Sequence, residues 1–119
     1  MKIIIAGSRN FEDGRLLYEK CDEILREIPK KEIHILLGDA SGADYIGHRY
    51  AIDRQFSYTT FLADWNKFGI AAGPIRNKEM IKEADMLIAF WDGVSRGTRD
   101  VIRKAKKQRI KTFVFDYND

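Results

Sequence analysis

The 119 residues are 45% hydrophobic, 33% charged and 12% aromatic, the make-up of one globular domain whose core needs neither disulfides nor a metal. Twenty-one basic against eighteen acidic residues leave +3, too even a balance to define a nucleic-acid binder but one that favours an anionic ligand. The longest apolar run, Met86 to Trp91, cannot span a bilayer, and Ile3 to Ala6 is too short for a signal peptide.

Ile3-Ile4-Ile5-Ala6 is β-branched and does not alternate, so it predicts a strand covered on both faces and ending at Gly7. Asp13 is a good N-cap for a helix whose apolar stripe is Leu17, Cys21, Ile24, Leu25 and Ile28, with Pro29 as its stop. Cys21 lies on that stripe and reads as core. With a single cysteine and no CxxC zinc pattern, a reducing, cytoplasmic setting is expected, with no metal and no resident cofactor.

A second strand runs from Ile33 to Leu37, ending at Gly38. Ala43, Ile46, Gly47, Tyr50 and Ala51 then stripe a second helix, and Phe56 to Leu62 forms a third strand. Pro74 marks a helix start, with Asn77, Met80, Ile81 and Ala84 on its inner face. Met86 to Phe90 is a fourth strand, Thr98, Val101, Ile102 and Ala105 stripe a fourth helix, and Ile110 to Phe115 is the last strand. The order βαβαβαβαβ predicts an α/β, three-layer, Rossmann-like domain. Its five-stranded sheet is mainly parallel, with right-handed crossovers and helices on both faces. Such sheets bind ligands at the carboxyl ends of their strands.

The unusual residues collect at that edge. Gly7-Ser8-Arg9 follows the first strand, and Gly38 with Ser41-Gly42-Ala43-Asp44 follows the second. Asp64-Trp65 and then Arg76-Asn77 follow the third, and Trp91-Asp92-Gly93 with Ser95, Gly97 and Thr98 follows the fourth. Glycine lets backbone approach a ligand, and a helix N-terminus offers free N–H groups to phosphate. Loops of this kind also need Gly and small polar caps for purely structural reasons. Neither GxGxxG nor a Walker pattern is present.

Several side chains carry two readings. Arg9 and Arg76 are candidate cations, and Arg76, near a helix start, opposes the dipole unless an anion faces it. A salt bridge to Asp64 or Asp44 would serve equally. Asn77 contacts either a ligand or loop carbonyls. Trp65 and Trp91 are core lids or stacking platforms. Asp44 caps backbone amides or binds a ribose hydroxyl. His34 and His48 belong to no triad or zinc motif. The basic run Arg103, Lys104, Lys106, Lys107, Arg109 and Lys111 reads as a solvated helix end.

As an ordered set, these strand-end segments resemble the SLOG superfamily, in particular its small YspA-like branch. The residues that carry the resemblance are Gly7-Ser8-Arg9 with Phe11, then Gly38 to Asp44, then Ala63-Asp64-Trp65. They continue with Ala72 to Asn77 and Met80, and with Ala84 to Gly93 followed by Ser95, Gly97 and Thr98. The resemblance implies a Rossmann-like fold that binds nucleotides or nucleotide-derived signals. Relatives include the LOG-type phosphoribohydrolases, which cleave a nucleoside monophosphate at its N-glycosidic bond, the DNA-processing protein DprA, and sensors of ADP-ribose-derived signals.

One departure matters. The LOG pattern Pro-Gly-Gly-x-Gly-Thr-x-x-Glu matches here at Gly97-Thr98, but its catalytic Glu falls on Val101, with Asp100 about 100° away around the helix. A carboxylate from Asp39, Asp44, Asp64 or Asp92 would have to substitute. The leading expectation is a module that binds a phosphate-bearing nucleotide or an ADP-ribose-type ligand. Gly97, Thr98 and Ser95 would cradle the phosphate, and Arg9 and Arg76 would neutralise it. Asp44 or Asn77 would contact ribose, and a Trp would line the base. An altered phosphoribohydrolase is the alternative, and a DNA-associated domain the third reading. A homodimer is expected, and a membrane partner is not.

Overall fold

The computed structural model describes residues 1–117. β1 (Lys2–Gly7) has four consecutive buried residues, because helices cover it on both sides. Ile3 and Ile5 face one core layer, and Ile4 and Ala6 face the other. The first layer is closed by α1 (Gly14–Leu25) and α2 (Ala43–Asp53) through Leu17, Cys21, Leu25, Tyr50 and Ala51. The second is closed by α4 (Ala72–Glu83) and α5 (Arg96–Lys107) through Met80, Ile81, Val101, Ile102 and Ala105. A short α3 (Trp65–Phe68) and a 3-10 turn lead into α4.

The remaining strands are β2 (His34–Leu37), β3 (Ser57–Thr60), β4 (Met86–Trp91) and β5 (Lys111–Asp116). All pairings are parallel, and the sheet order is β3-β2-β1-β4-β5. The fold is therefore the expected α/β three-layer, Rossmann-like one. The chain winds outward from β1 to β3, returns, and winds outward again from β4. The strand order reverses between β1 and β4, and the crevice of a doubly wound sheet opens beyond their carboxyl ends. β3 is an edge strand, exposed along its whole length, and its Ser-Tyr-Thr-Thr composition suits that position.

Several boundaries differ from the sequence reading for local reasons. Asp13 caps α1 as expected, accepting from the Leu16 amide at 3.0 Å. That helix ends at Leu25, however, and Ile28 packs on the core from the following turn. α4 begins at Ala72, so Pro74 is its third residue, where a missing N–H is harmless. This moves Arg76 from the first helical turn into the second.

Candidate ligand site at the strand carboxyl ends

The loop after β1 is tied to the loop after β4. The Ser8 amide donates to the Phe90 carbonyl (3.0 Å), and the Asp92 amide donates to Ser8 Oγ (3.2 Å). Gly7 has no room for a side chain, since a Cβ would lie 2.6 Å from that of Ala43 and run into the Phe90 carbonyl. Gly42, at φ +73°, brings the start of α2 against the carbonyls of Ser8 and Arg9. Ser41 Oγ donates to the Arg9 carbonyl at 3.4 Å.

Asp92 organises the entry to α5. Its Oδ1 accepts from the amides of Val94 (2.9 Å) and Ser95 (2.8 Å), and its Oδ2 from Ser95 Oγ (2.9 Å). Burial opposes its charge, but these donors outweigh it and hold the carboxyl down at about 2. Gly93, at φ +86°, makes the turn. With its hydroxyl given to Asp92, Ser95 stands at the N-cap of α5 without capping it. By contrast, Asp13 and Asp64 do cap α1 and α3. The first-turn amides of α5 thus have no side-chain cap, and beside them a Cβ on Gly97 would meet nothing within 4 Å.

A cleft of about 660 Å³ lies in front of this helix end. Ten of the sequence-derived residues line it: Gly7, Ser8, Arg9, Asp44, Trp65, Arg76, Asn77, Ser95, Gly97 and Thr98. The other seven support it from behind or from the side. Gly38 lies beneath Asp44 and Arg76; a Cβ there would come 2.7 Å from Asp44 Oδ2 and 2.6 Å from Arg76 Nη1. Ser41, Gly42, Asp92 and Gly93 shape the loops, and Asp64 caps α3 through the Lys67 amide at 3.0 Å. Trp91 turns its indole N–H to the Ser95 carbonyl (3.1 Å), with Arg99 over its ring, so it buttresses the α5 entry from outside the cleft lining.

Arg76 pairs with Asp39 (2.8 Å), not with Asp64 or Asp44, and its Nε donates to Asn77 Oδ1 at 3.1 Å. Asn77 Nδ2 reaches the Gly97 carbonyl (3.2 Å) and Asp100 Oδ2 (3.1 Å), which joins α4 to the start of α5. Asp44 is 6% exposed and accepts from the Ala40 amide at 3.1 Å. Burial raises its carboxyl to about 6, against the opposing pull of that amide and of Arg76. Trp65 is 46% exposed and lines the cleft, as does Ile70, and Arg9 lies 6.0 Å from the Trp65 ring centroid.

Of the four carboxylates weighed as substitutes for the LOG Glu, Asp44 lines the cleft, while Asp39, Asp64 and Asp92 do not. Asp100 lines it too, held by Asn77 and by Lys104 at 2.6 Å, beside a Val101 that is 1% exposed. Arg96, from the Ser95-Arg96-Gly97-Thr98 stretch that offers a guanidinium beside open amides, and Pro74, from the Ala72–Asn77 segment, line the cleft as well, while Ile70, which sequence reasoning passed over, reaches the lining through the α3–α4 connection.

The sheet order and the crevice at its reversal define a Rossmann-like α/β domain with a strand-end cleft. The chain belongs to the YspA, cpYpsA-related SLOG family, whose model matches residues 1–68. The gene 61 protein of Mycobacterium phage D29 is 35% identical over 120 residues, covering 96% of this chain and 95% of its own. The structure of DNA processing protein A from Streptococcus pneumoniae superposes with a TM-score of 0.72 at 18% identity, which shows a shared fold. That match covers 95% of this chain and 49% of the other, so the chain spans about half that protein's length. No helix among the described residues is long and apolar enough to cross a membrane.

Proposed function

We propose that the cleft binds a phosphate-bearing nucleotide or an ADP-ribose-type ligand. The observation that carries this reading is the amino end of α5. It has no side-chain cap, Gly97 leaves it sterically bare, and it opens into a cleft that also holds Arg9 and Arg96. A phosphate satisfies first-turn amides and complements the helix dipole. In this reading the amides of Gly97 and Thr98 hold the phosphate, and Arg9 approaches it from the β1 loop. Arg76 is available once it leaves Asp39. Ser95 contributes by fixing the loop, since its hydroxyl is engaged by Asp92.

Ribose hydroxyls suit Asp44, a buried carboxyl that accepts from the Ala40 amide. The base suits the apolar side of the cleft, where Trp65, Ile70, Pro74 and Met80 gather. The reading is tested by calorimetric titration with AMP, ADP-ribose and unphosphorylated adenosine. It requires at least one of the first two to bind and adenosine to bind far more weakly; equal binding of all three would refute a phosphate site.

A hydrolytic reading rests on Asp44, whose carboxyl, raised to about 6, is poised to exchange a proton near neutral pH. It requires release of a free base from a nucleoside monophosphate, detected by chromatography and lost in Asp44→Asn.

A further inference from the structure

Charge is unevenly distributed along this chain. Residues 96–111 hold eight Lys or Arg and a single acid, Asp100, and so carry +7. The other residues, thirteen basic and seventeen acidic, carry −4. The modest net charge conceals an acidic body with one strongly basic element.

α5 turns Thr98, Val101, Ile102 and Ala105 to the core. On a helix of about 3.6 residues per turn, Arg96, Arg99, Arg103, Lys106 and Lys107 fall within an arc of about 100° on the opposite side. All five are exposed, and none makes an ion pair among the described residues. Arg99 rests over Trp91, 5.8 Å from its ring centroid. The one acid on the helix is taken by Lys104.

Helix-end electrostatics accounts for Lys104, Lys106 and Lys107 in the last turn. It does not account for Arg96 and Arg99, which stand in the first turn and oppose the dipole. Like charges three or four residues apart also repel along a helix. The stripe therefore works against the free domain, and an extended anion would relieve it.

We infer that this face of α5 docks single-stranded nucleic acid, with successive phosphates along the stripe. Eleven steps of 1.5 Å from Arg96 to Lys107 give it a length of about 16 Å, room for several phosphates. Arg96 also lines the cleft, so the stripe begins at the cleft mouth. An unpaired terminal nucleotide can enter there while its chain follows the helix; a paired end cannot. A membrane-surface helix would carry apolar side chains facing the lipid, and this exposed arc has none. The docking face stands independently of the cleft reading; only the placement of the terminal nucleotide rests on it.

The test is fluorescence anisotropy of a labelled single-stranded oligonucleotide against the whole chain across a salt series. Contact with about four phosphates predicts a log–log salt slope near −3. Arg99→Glu/Arg103→Glu should weaken binding at low salt by about tenfold or more and bring the slope about 1.4 closer to zero. The milder pair Lys106→Gln/Lys107→Gln should shift both in the same direction. Lys30→Gln/Lys31→Gln, exposed lysines outside α5, should leave the slope unchanged, and titration of AMP into the Arg99→Glu/Arg103→Glu chain, altered at residues outside the cleft lining, separates failure of the cleft from failure of the face. Absence of oligonucleotide binding at low salt, a flat salt response, or charge-reversed variants that bind like the parent would overturn the inference. So would tighter binding to an acidic peptide or to anionic vesicles than to the oligonucleotide.

Discussion

Arg76 Nη1 and Asp39 Oδ1 lie 2.8 Å apart, an ion pair that joins α4 to the loop after β2 at the side of the cleft. Arg76 is largely buried and Asp39 only partly exposed, so solvent screens the pair incompletely. Asp39 thus holds the guanidinium as an internal anion, which in the proposed function a ligand phosphate would displace.

Asp39→Asn should therefore tighten binding of a phosphate-bearing ligand by roughly tenfold, or about 1.4 kcal/mol, because Arg76 is released at a lower cost. Arg76→Ala should weaken binding and also lower stability by about 1.5–3 kcal/mol, since it strips Asp39 of its charged partner. Calorimetric titration alongside denaturant unfolding of both variants checks the pair. Weaker binding in Asp39→Asn would mean that Asp39 serves to aim Arg76 at the ligand.

Asp44 makes stability depend on pH. Its carboxyl is raised from 3.8 to about 6 in the folded chain. Between those values the folded state holds a proton that the unfolded state has released, so this group's contribution falls as pH rises through about 6. About two units correspond to roughly 3 kcal/mol at most. Asp44→Asn should remove this dependence, leaving the variant more stable than the parent at pH 8 and little changed at pH 4. Unfolding curves at both pH values decide it, and a variant destabilised equally at each would refute the assignment.

Asp92 acts in the opposite sense. Its folded carboxyl is depressed to about 2, so its contribution is present above the unfolded value near 3.8 and is lost as pH falls towards 2. Asp92→Ala leaves two amides and a hydroxyl without their acceptor and should cost about 1–3 kcal/mol at neutral pH. Amide exchange should quicken at Val94 and Ser95 before it does in the strands. Unchanged protection there would show that the loop is held by other contacts.

The strands and the two-sided core were legible because they depend on local patterning. Four β-branched or small residues in a row at Ile3–Ala6 require cover on both faces, and Leu17 and Cys21 repeat at helical spacing. The segment from Trp65 to Ala71 was not, since it carries large exposed apolar residues without a buried stripe; Ile70 is 95% exposed. The convergence of loops on one edge followed from the βα alternation. Pairings within that edge did not, because Arg76 meets Asp39 across 37 positions of chain. The roles of Asp92 and Ser95 were hidden for a different reason. A carboxylate that binds a ligand and one that clamps a turn have the same sequence signature, and only the direction of the donors separates them.

Gly42 and Gly97 should respond oppositely to a side chain. Gly42 has a positive φ and no space for a Cβ, so Gly42→Ala should cost at least about 1–3 kcal/mol of stability. Gly97 has open space beside it and is not among the positive-φ glycines, so the fold should tolerate Val there. Thermal unfolding of the two variants tests the contrast, and a Gly97→Val chain that melts far below the parent would refute it.

The most direct test of the phosphate site is calorimetric titration of AMP and ADP-ribose into the parent and into Gly97→Val, with circular dichroism to confirm that the variant is folded. A valine at this position would fill open space at the cleft lining, where the proposed function seats the phosphate. The account predicts that the parent binds at least one of these ligands and that the folded variant binds neither. A folded Gly97→Val chain that binds as tightly as the parent would contradict it and move the phosphate away from α5.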